Sequence, residues 1–173
     1  MSLEIEKLLD GTGWQLLQEL QQNARLSYSE LGQRVGLSAP AVADRIHRME
    51  EAGIIAGYRA EVNMSKLGLP VTAVIRLGSV PGQSCTIVAQ RVSEIPEVVE
   101  CYRVTGSDAV ITKVVATSVA HLERIIDKLA FYGEPTTSLV LSRSMQRRTI
   151  TRDIVEHGEQ EEDMLAPDEA FRP

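Results

Sequence analysis

The sequence predicts an α+β chain in two parts: an N-terminal three-helix winged helix-turn-helix domain over residues 1–62 and a C-terminal ferredoxin-like βαββαβ domain over 63–150. Three observations predict it. Residues 27–55 read as two short helices joined by a glycine turn, a leucine-rich helical stretch precedes them, and from Val71 strand-like and helix-like segments follow in the order β-α-β-β-α-β. Residues 151–173 lose all periodicity and form an acidic tail for which disorder is the default expectation.

Leu9, Leu16, Leu17 and Leu20 recur at helical spacing, with Trp14 adding bulk, and predict the first helix. Ser27 and Glu30 make an S-x-x-E capping box, so the second helix starts near Tyr28. Leu31 and Val35 give it one apolar stripe, and Gly36 is a left-handed stop. Gly32 lies mid-helix, where it is worse than alanine by roughly 1 kcal/mol, and a close helix crossing would explain it. Ser38 caps the third helix, Pro40 is tolerated in its first turn, and Gly53 ends it. On a helical wheel Val42, Ile46 and Met49 form its core side, while Pro40, Asp44, His47, Arg48 and Glu51 point away. Ala41 and Arg45 fall on the flanks.

After Gly53, residues 54–63 carry β-formers around Gly57 and predict a short hairpin or wing, followed by a linker from Met64 to Pro70. In the second domain Val71–Leu77 reads as a strand, Ile87, Val88, Val92 and Ile95 as a helix stopped by Pro96, and Val98–Thr105 and Ala109–Ala116 as a hairpin around Gly106. Ser118 caps a helix with Val119, Leu122, Ile125, Ile126 and Leu129 on its apolar side, and Thr136–Leu141 is the last strand. Both helices then cover one sheet face. The other, supplied by Val74, Tyr102, Val104, Val140 and alternating positions of 109–115, would be an association surface and implies a homodimer.

Composition narrows the function. No apolar run approaches the roughly 18 residues of a membrane span, and the start of the chain lacks a signal-peptide profile, so a cytoplasmic protein without membrane contact is expected. Cys85 and Cys101 are isolated and read as free, at least half-buried thiols; no metal site or cofactor is implied. His47, His121 and His157 fall on the third helix, the outer face of a later helix and the tail, without nucleophile or metal spacing, so an enzyme is not expected. The net charge is −6, but residues from Asp153 onward contribute −7 and residues 1–152 carry +1. Residues 1–62 still hold six bases against nine acids. If the helix pair binds double-stranded DNA, one copy binds weakly, and several copies on a pseudo-palindromic promoter site are needed.

The chain resembles the Lrp/AsnC family of "feast or famine" transcription regulators. The resemblance rests on Arg25-Leu-Ser-x-x-Glu-Leu-Gly-x-Arg-Val-Gly-Leu-Ser38, on Val42-x-x-Arg45-x-x-Arg48-Met-Glu-x-x-Gly-Ile-Ile55, and on Gly57-Tyr-Arg-Ala60. Glu100-Cys-Tyr-Arg-Val-Thr-Gly106 and Tyr132-Gly-x-Pro-Thr-Thr-Ser138 match the family's regulatory domain, and residues 8–148 are covered. It implies a regulator whose dimers assemble into tetramers or octamers and bind a small effector, an amino acid or related compound. Carried onto this chain, the DNA contacts are Ser27, Tyr28, Ser38, Ala39, Pro40, Ala41, Asp44, Arg45, His47 and Arg48; Arg48 is the better candidate, because Arg45 is as suited to packing its stem and holding a carboxylate. The effector residues are Val104, Thr105, Gly106, Ser107, Asp108, Thr136, Thr137 and Ser138.

Two departures from the family pattern carry consequences. The family's Leu-Asp-x-x-Asp opener has Gly13 at its last position, which removes a helix-capping group. Its Gly-x-Tyr-Asp turn reads Gly106-Ser-Asp-Ala109, so Ala109 cannot accept an ammonium group, and Asp108, one residue early, is expected to face the other side of the strand. Backbone amides around Gly106 with the hydroxyls of 136–138 could still hold a carboxylate, or those hydroxyls could be a plain polar strand edge. The rival reading is a ferredoxin-like amino-acid sensor that regulates a metabolic enzyme through protein contacts, without DNA.

Overall fold

The computed structural model of the chain describes residues 3–145 and 147–156; most of the expected acidic tail lies outside the described residues. The chain divides into one unit made of residues up to Ala60 together with those from Met145 on, and a second unit, Glu61–Ser144. The boundaries read from sequence fell two residues later at the first crossing and six later at the second. The second shift has a clear cause. The Gln21 side chain donates to the carbonyl of Ile150 (3.0 Å) and accepts from its amide (2.9 Å), which ties this segment to the N-terminal helices. Residues 152–156 are helical, where no pattern was expected.

Among the described residues up to Ala60 there is one more helix than the sequence predicts: α1 (Leu3–Leu8), α2 (Gly11–Gln22), α3 (Tyr28–Val35) and α4 (Ala39–Glu51). The leucine pattern runs through the α1–α2 break and hides it. Asp10 makes the break by accepting from the Gly13 amide (2.8 Å), so α2 keeps a side-chain cap despite the altered opener. A Cβ on Gly13 would lie 1.9 Å from the Leu8 carbonyl oxygen, so glycine there permits the tight turn between the end of α1 and the first turn of α2. Leu16, Leu20, Leu31, Val42 and Ile46 form the core, as the two periodicities require.

Both predicted caps form. Ser27 and Glu30 complete a capping box, Ser38 caps α4, and Gly36 stops α3 at φ 72°. Gly32 is explained differently from the expectation: the crowding comes from the turn rather than a helix crossing, since its Cβ would stand 2.4 Å from the Leu37 carbonyl oxygen. The wing is absent as strand. Gly53 turns left-handed at φ 71°, and the amides of Ile54 and Ile55 both donate to the Met49 carbonyl (2.9 and 3.1 Å), so the first β-formers cap α4 instead of pairing. Residues 56–63 have no regular structure.

In the second unit a 3-10 turn (Met64–Leu67) leads into β1 (Val71–Gly78), α5 (Cys85–Ser93), β2 (Val98–Arg103), β3 (Asp108–Ala116), α6 (Val119–Ala130) and β4 (Pro135–Leu139). The sheet order is β2-β3-β1-β4 with every neighbour antiparallel, the ferredoxin-like arrangement. Ala73, Ile75 and Leu77 of β1 pair across to Val114, Thr112 and Val110 of β3, and these buried residues meet Val88, Val92, Leu122, Ile125 and Leu129 from α5 and α6. Thr112 is the polar member of that set and is satisfied by donating to the Ile75 carbonyl (3.1 Å). Cys85 and Cys101 are free and half-buried, as expected.

Replacing Gly32 with alanine separates propensity from packing. Propensity alone would stabilise α3 by roughly 1 kcal/mol, yet the forced contact with the Leu37 carbonyl should destabilise by about 1–3 kcal/mol. Thermal unfolding followed by circular dichroism should therefore show a lower Tm for Gly32→Ala. An equal or higher Tm would mean that the turn yields freely.

Candidate functional site

The exposed side of α4 is built by its caps and its buried stripe. Val42, Ile46 and Met49 are fully buried, which turns Pro40, Asp44, His47 and Arg48 outward. Ser38 is occupied in capping the Ala41 amide, and Ser27 in its box with Glu30, whose carboxyl is held below its ordinary pKa by the Ser27 hydroxyl and amide. Tyr28 is 48% exposed at the start of α3. Ala39 and Ala41 are half-buried, so their backbone rather than their side chains is presented.

The arginines divide sharply. Both terminal nitrogens of Arg45 donate to Asp10, each at 2.7 Å, in a two-point clasp from α4 to the cap of α2. That hydrogen-bonded pairing draws the Asp10 pKa down to about 2, the Gly13 amide adding to it, and raises that of Arg45. Arg45 is thus already engaged within its own unit. Arg34 is held by Glu19 across to α2. His47 pairs with Glu51 one turn on (3.3 Å). Arg48 remains exposed in the last turn of α4.

The second group of residues lies at one end of the sheet. Gly106, at φ 106°, turns the exposed loop between β2 and β3, and the Ser107 carbonyl accepts from the Ser79 amide (2.9 Å), tying that loop to the exit of β1. A β-bulge then intervenes: Leu77 pairs with Val110 but Gly78 pairs with Asp108, leaving Ala109 as the extra residue. The bulge leaves Ala109 in the buried core beside α5 and α6, while Asp108 lies on the other side of the strand, as its one-residue offset from position 109 leads one to expect. The Asp108 carboxylate lies 3.7 Å from Arg76, on the sheet face opposite α5 and α6. Thr136 pairs across from Arg76, so it shares that face, and Ser138 follows one pleat away opposite Val74. Thr137 pairs with Ile75 and belongs to the helix side of the sheet, apart from the other hydroxyls. Val104 is half-buried and Thr105 exposed in the loop.

Sequence reasoning missed Arg76. The signal was present, because it is the charged residue in the otherwise uncharged run Val71–Leu77, two and four residues from Val74 and Thr72 and so on their face. Gly133 is a second omission: a Cβ there would stand 2.5 Å from the Gly78 carbonyl oxygen, so glycine lets β4 enter beside the bulge. His121 also differs from expectation. It is 20% exposed rather than on a bare outer face, and its Nε2 lies 3.2 Å from the Glu97 carboxylate that also accepts from Lys128.

Comparison with known proteins matches both units. The AsnC-type helix-turn-helix domain model matches residues 9–50, and the Lrp/AsnC ligand binding domain model matches residues 72–150. The chain is 43% identical over 136 residues to an uncharacterized HTH-type transcriptional regulator, YezC of Bacillus subtilis, covering 79% of this chain and 96% of that protein. Among solved structures, B. subtilis LrpC superposes with a TM-score of 0.75 at 30% identity, over 80% of this chain and 99% of the other. A feast or famine regulatory protein from M. tuberculosis, complexed with L-methionine, gives 0.77 at 28% identity, over 83% and 99%.

The Asp10–Arg45 clasp makes a testable difference to stability. At neutral pH, Asp10→Ala should cost about 0.5–2 kcal/mol through the lost cap, and Asp10→Asn less, because asparagine still caps. The Asp10 pKa is depressed from 3.8 to about 2 by folding, so its ionised form stabilises the folded chain above pH 3.8 and that contribution is lost as pH falls toward 2. Denaturant titrations should show the gap between wild type and Asp10→Asn closing over that window. A gap that is constant with pH would rule out the carboxylate as its source.

Proposed function

Because the chain belongs to the Lrp/AsnC family of transcriptional regulators, we propose that it binds double-stranded promoter DNA through the exposed side of α4 and takes a small effector at the Arg76–Asp108 end of its sheet. The observation that carries the first half is the division of the arginines: Arg45 and Arg34 are committed to Asp10 and Glu19, while Arg48 is left outward beside Pro40, Asp44 and His47. Arg48 is the principal base or phosphate contact. Ser27, Tyr28 and the first turn of α4 from Ser38 to Ala41 place the backbone against phosphates, with amides at two capped helix starts.

An amino-acid effector brings an ammonium and a carboxylate, and neither can be buried unpaired. Asp108 and Arg76 supply one acceptor and one donor on the same face, with the Thr136 hydroxyl beside Arg76 and the amides around Gly106 at the strand ends. As they stand, the two charges serve each other, and an effector would exchange that pairing for its own. The L-methionine held by the M. tuberculosis neighbour makes amino acids the first class to screen, with 2-oxo acids the second.

The protein acts in the cytoplasm as a homodimer assembled into a tetramer or octamer. Supporting the dimer, the sheet face opposite the helices carries Val74 and Ile111 together with Tyr102, which is 56% exposed, and Val140, 40% exposed. No helix among the described residues is long and apolar enough to cross a membrane. Pairing through that face gives two α4 helices per dimer, the number a pseudo-palindromic site needs.

Three measurements test this reading. In gel-shift titrations against a fragment of the protein's own promoter, Arg48→Ala should weaken binding about tenfold or more, an effect of 1–3 kcal/mol, whereas Arg45→Ala should act first on stability. Absence of wild-type binding at low salt, with a folded oligomer present, would overturn the DNA assignment. In thermal-shift screens a ligand at about 100 times its Kd stabilises by roughly 2.7 kcal/mol. Arg76→Ala and Asp108→Asn should each abolish the shift caused by the amino or 2-oxo acid that stabilises wild type; a shift that survives both places the effector elsewhere. Light scattering that returns a monomer would remove the dimer.

A further inference from the structure

Residues 145–150 fall within the stretch matched by the ligand-binding-domain model, yet they belong to the DNA-binding unit of this structure. There they form a strap. Gln21, in the last turn of α2, grips both backbone groups of Ile150, and one turn of helix follows at 152–156, where Arg152 pairs with Glu156 (2.6 Å). Just before the grip stand Arg147 and Arg148, both exposed; Arg148 rests one nitrogen 3.7 Å from the Met145 sulfur.

Charge makes these residues consequential. Residues 1–60 carry six basic side chains against eight acidic ones, and two of the six, Arg34 and Arg45, are tied to carboxylates. A unit this poor in free cations has little with which to displace the counterions of DNA, the process that supplies most non-specific affinity. Arg147 and Arg148 add two cations to Lys7, Arg25, Arg48 and Arg59. Their position is favourable. Gln21 is six residues before Ser27 at the start of α3, so even a fully extended connection keeps the grip within roughly 20 Å of that helix start, and the arginines reach further from a strap two to three residues away.

We propose that the strap is a second phosphate-binding element of the DNA-binding unit, with Arg147 and Arg148 contacting the DNA backbone outside the helix-turn-helix. The inference rests on the DNA-binding reading above. Backbone contacts of this kind add affinity and salt sensitivity without adding base preference. The α4 side chains choose the sequence and the strap holds the duplex.

The test uses the full chain, including the acidic residues beyond the strap, and compares wild type with R147A/R148A, R147K/R148K and Gln21→Ala by fluorescence anisotropy on promoter and scrambled duplexes across a salt series. R147A/R148A should bind both duplexes several-fold to about tenfold more weakly at low salt, with their affinity ratio unchanged and the slope of log K against log salt reduced by roughly 0.9 for each phosphate no longer neutralised. The lysine pair should retain most of the binding. Gln21→Ala, which removes no charge, should weaken binding in the same way by releasing the strap. Wild-type binding with an unchanged affinity and slope in R147A/R148A overturns the strap proposal alone; an equal loss in both lysine and alanine pairs also overturns it, because charge would then not be the cause. Failure of wild type to bind either duplex overturns the DNA-binding reading instead.

Discussion

The clasp between Asp10 and Arg45 is the interaction on which the N-terminal unit turns. One carboxylate closes the start of α2 through the Gly13 amide and at the same time anchors the middle of α4. It therefore fixes α4 relative to α2, using a surface-level pair whose geometry is two-pronged and hence directional. Its cost is a cation. With Arg45 drawn inward and Arg34 drawn to Glu19, a unit already short of positive charge presents fewer arginines than its sequence contains. That scarcity shapes everything proposed for its outer surface, from the weight placed on Arg48 to the need for several copies.

Local chemistry in the N-terminal half was largely legible. Ser27, Glu30, Gly36, Ser38 and Gly53 each act within a few residues of themselves, so their effects can be read without knowing the fold. Val42, Ile46 and Met49 were equally readable, since a 3.6-residue period has one inward side. What escaped were features decided by distant backbone. The extra helix α1 is invisible because the leucines on both sides of Asp10 keep nearly the same phase, and the reason for Gly32 depends on where the Leu37 carbonyl ends up. Ile54 and Ile55 look like strand, and their amides are instead taken by the end of α4.

The sheet domain teaches the same lesson about register. Strand order and helix placement followed from the sequence of periodicities, but a period of two has no memory of a bulge. At the bulge Ala109 goes into the core, and Asp108, on the other side of the strand, meets Arg76 from a neighbouring strand. In β4 three successive hydroxyls look like one polar patch, and the pleat sends the middle one, Thr137, to the other side.

The grip of Gln21 on Ile150 has a consequence for how the molecule is made. It turns the sheet domain into a guest inserted within its host, joined to it by two covalent crossings rather than one. During synthesis the four N-terminal helices emerge early and can pack at once, but the host is finished only after the whole guest has left the ribosome. A chain interrupted anywhere before Ile150 would carry its helix-turn-helix without its last fastening. Quality control is in this sense written into the topology, because the segment translated last among the described residues completes the part translated first.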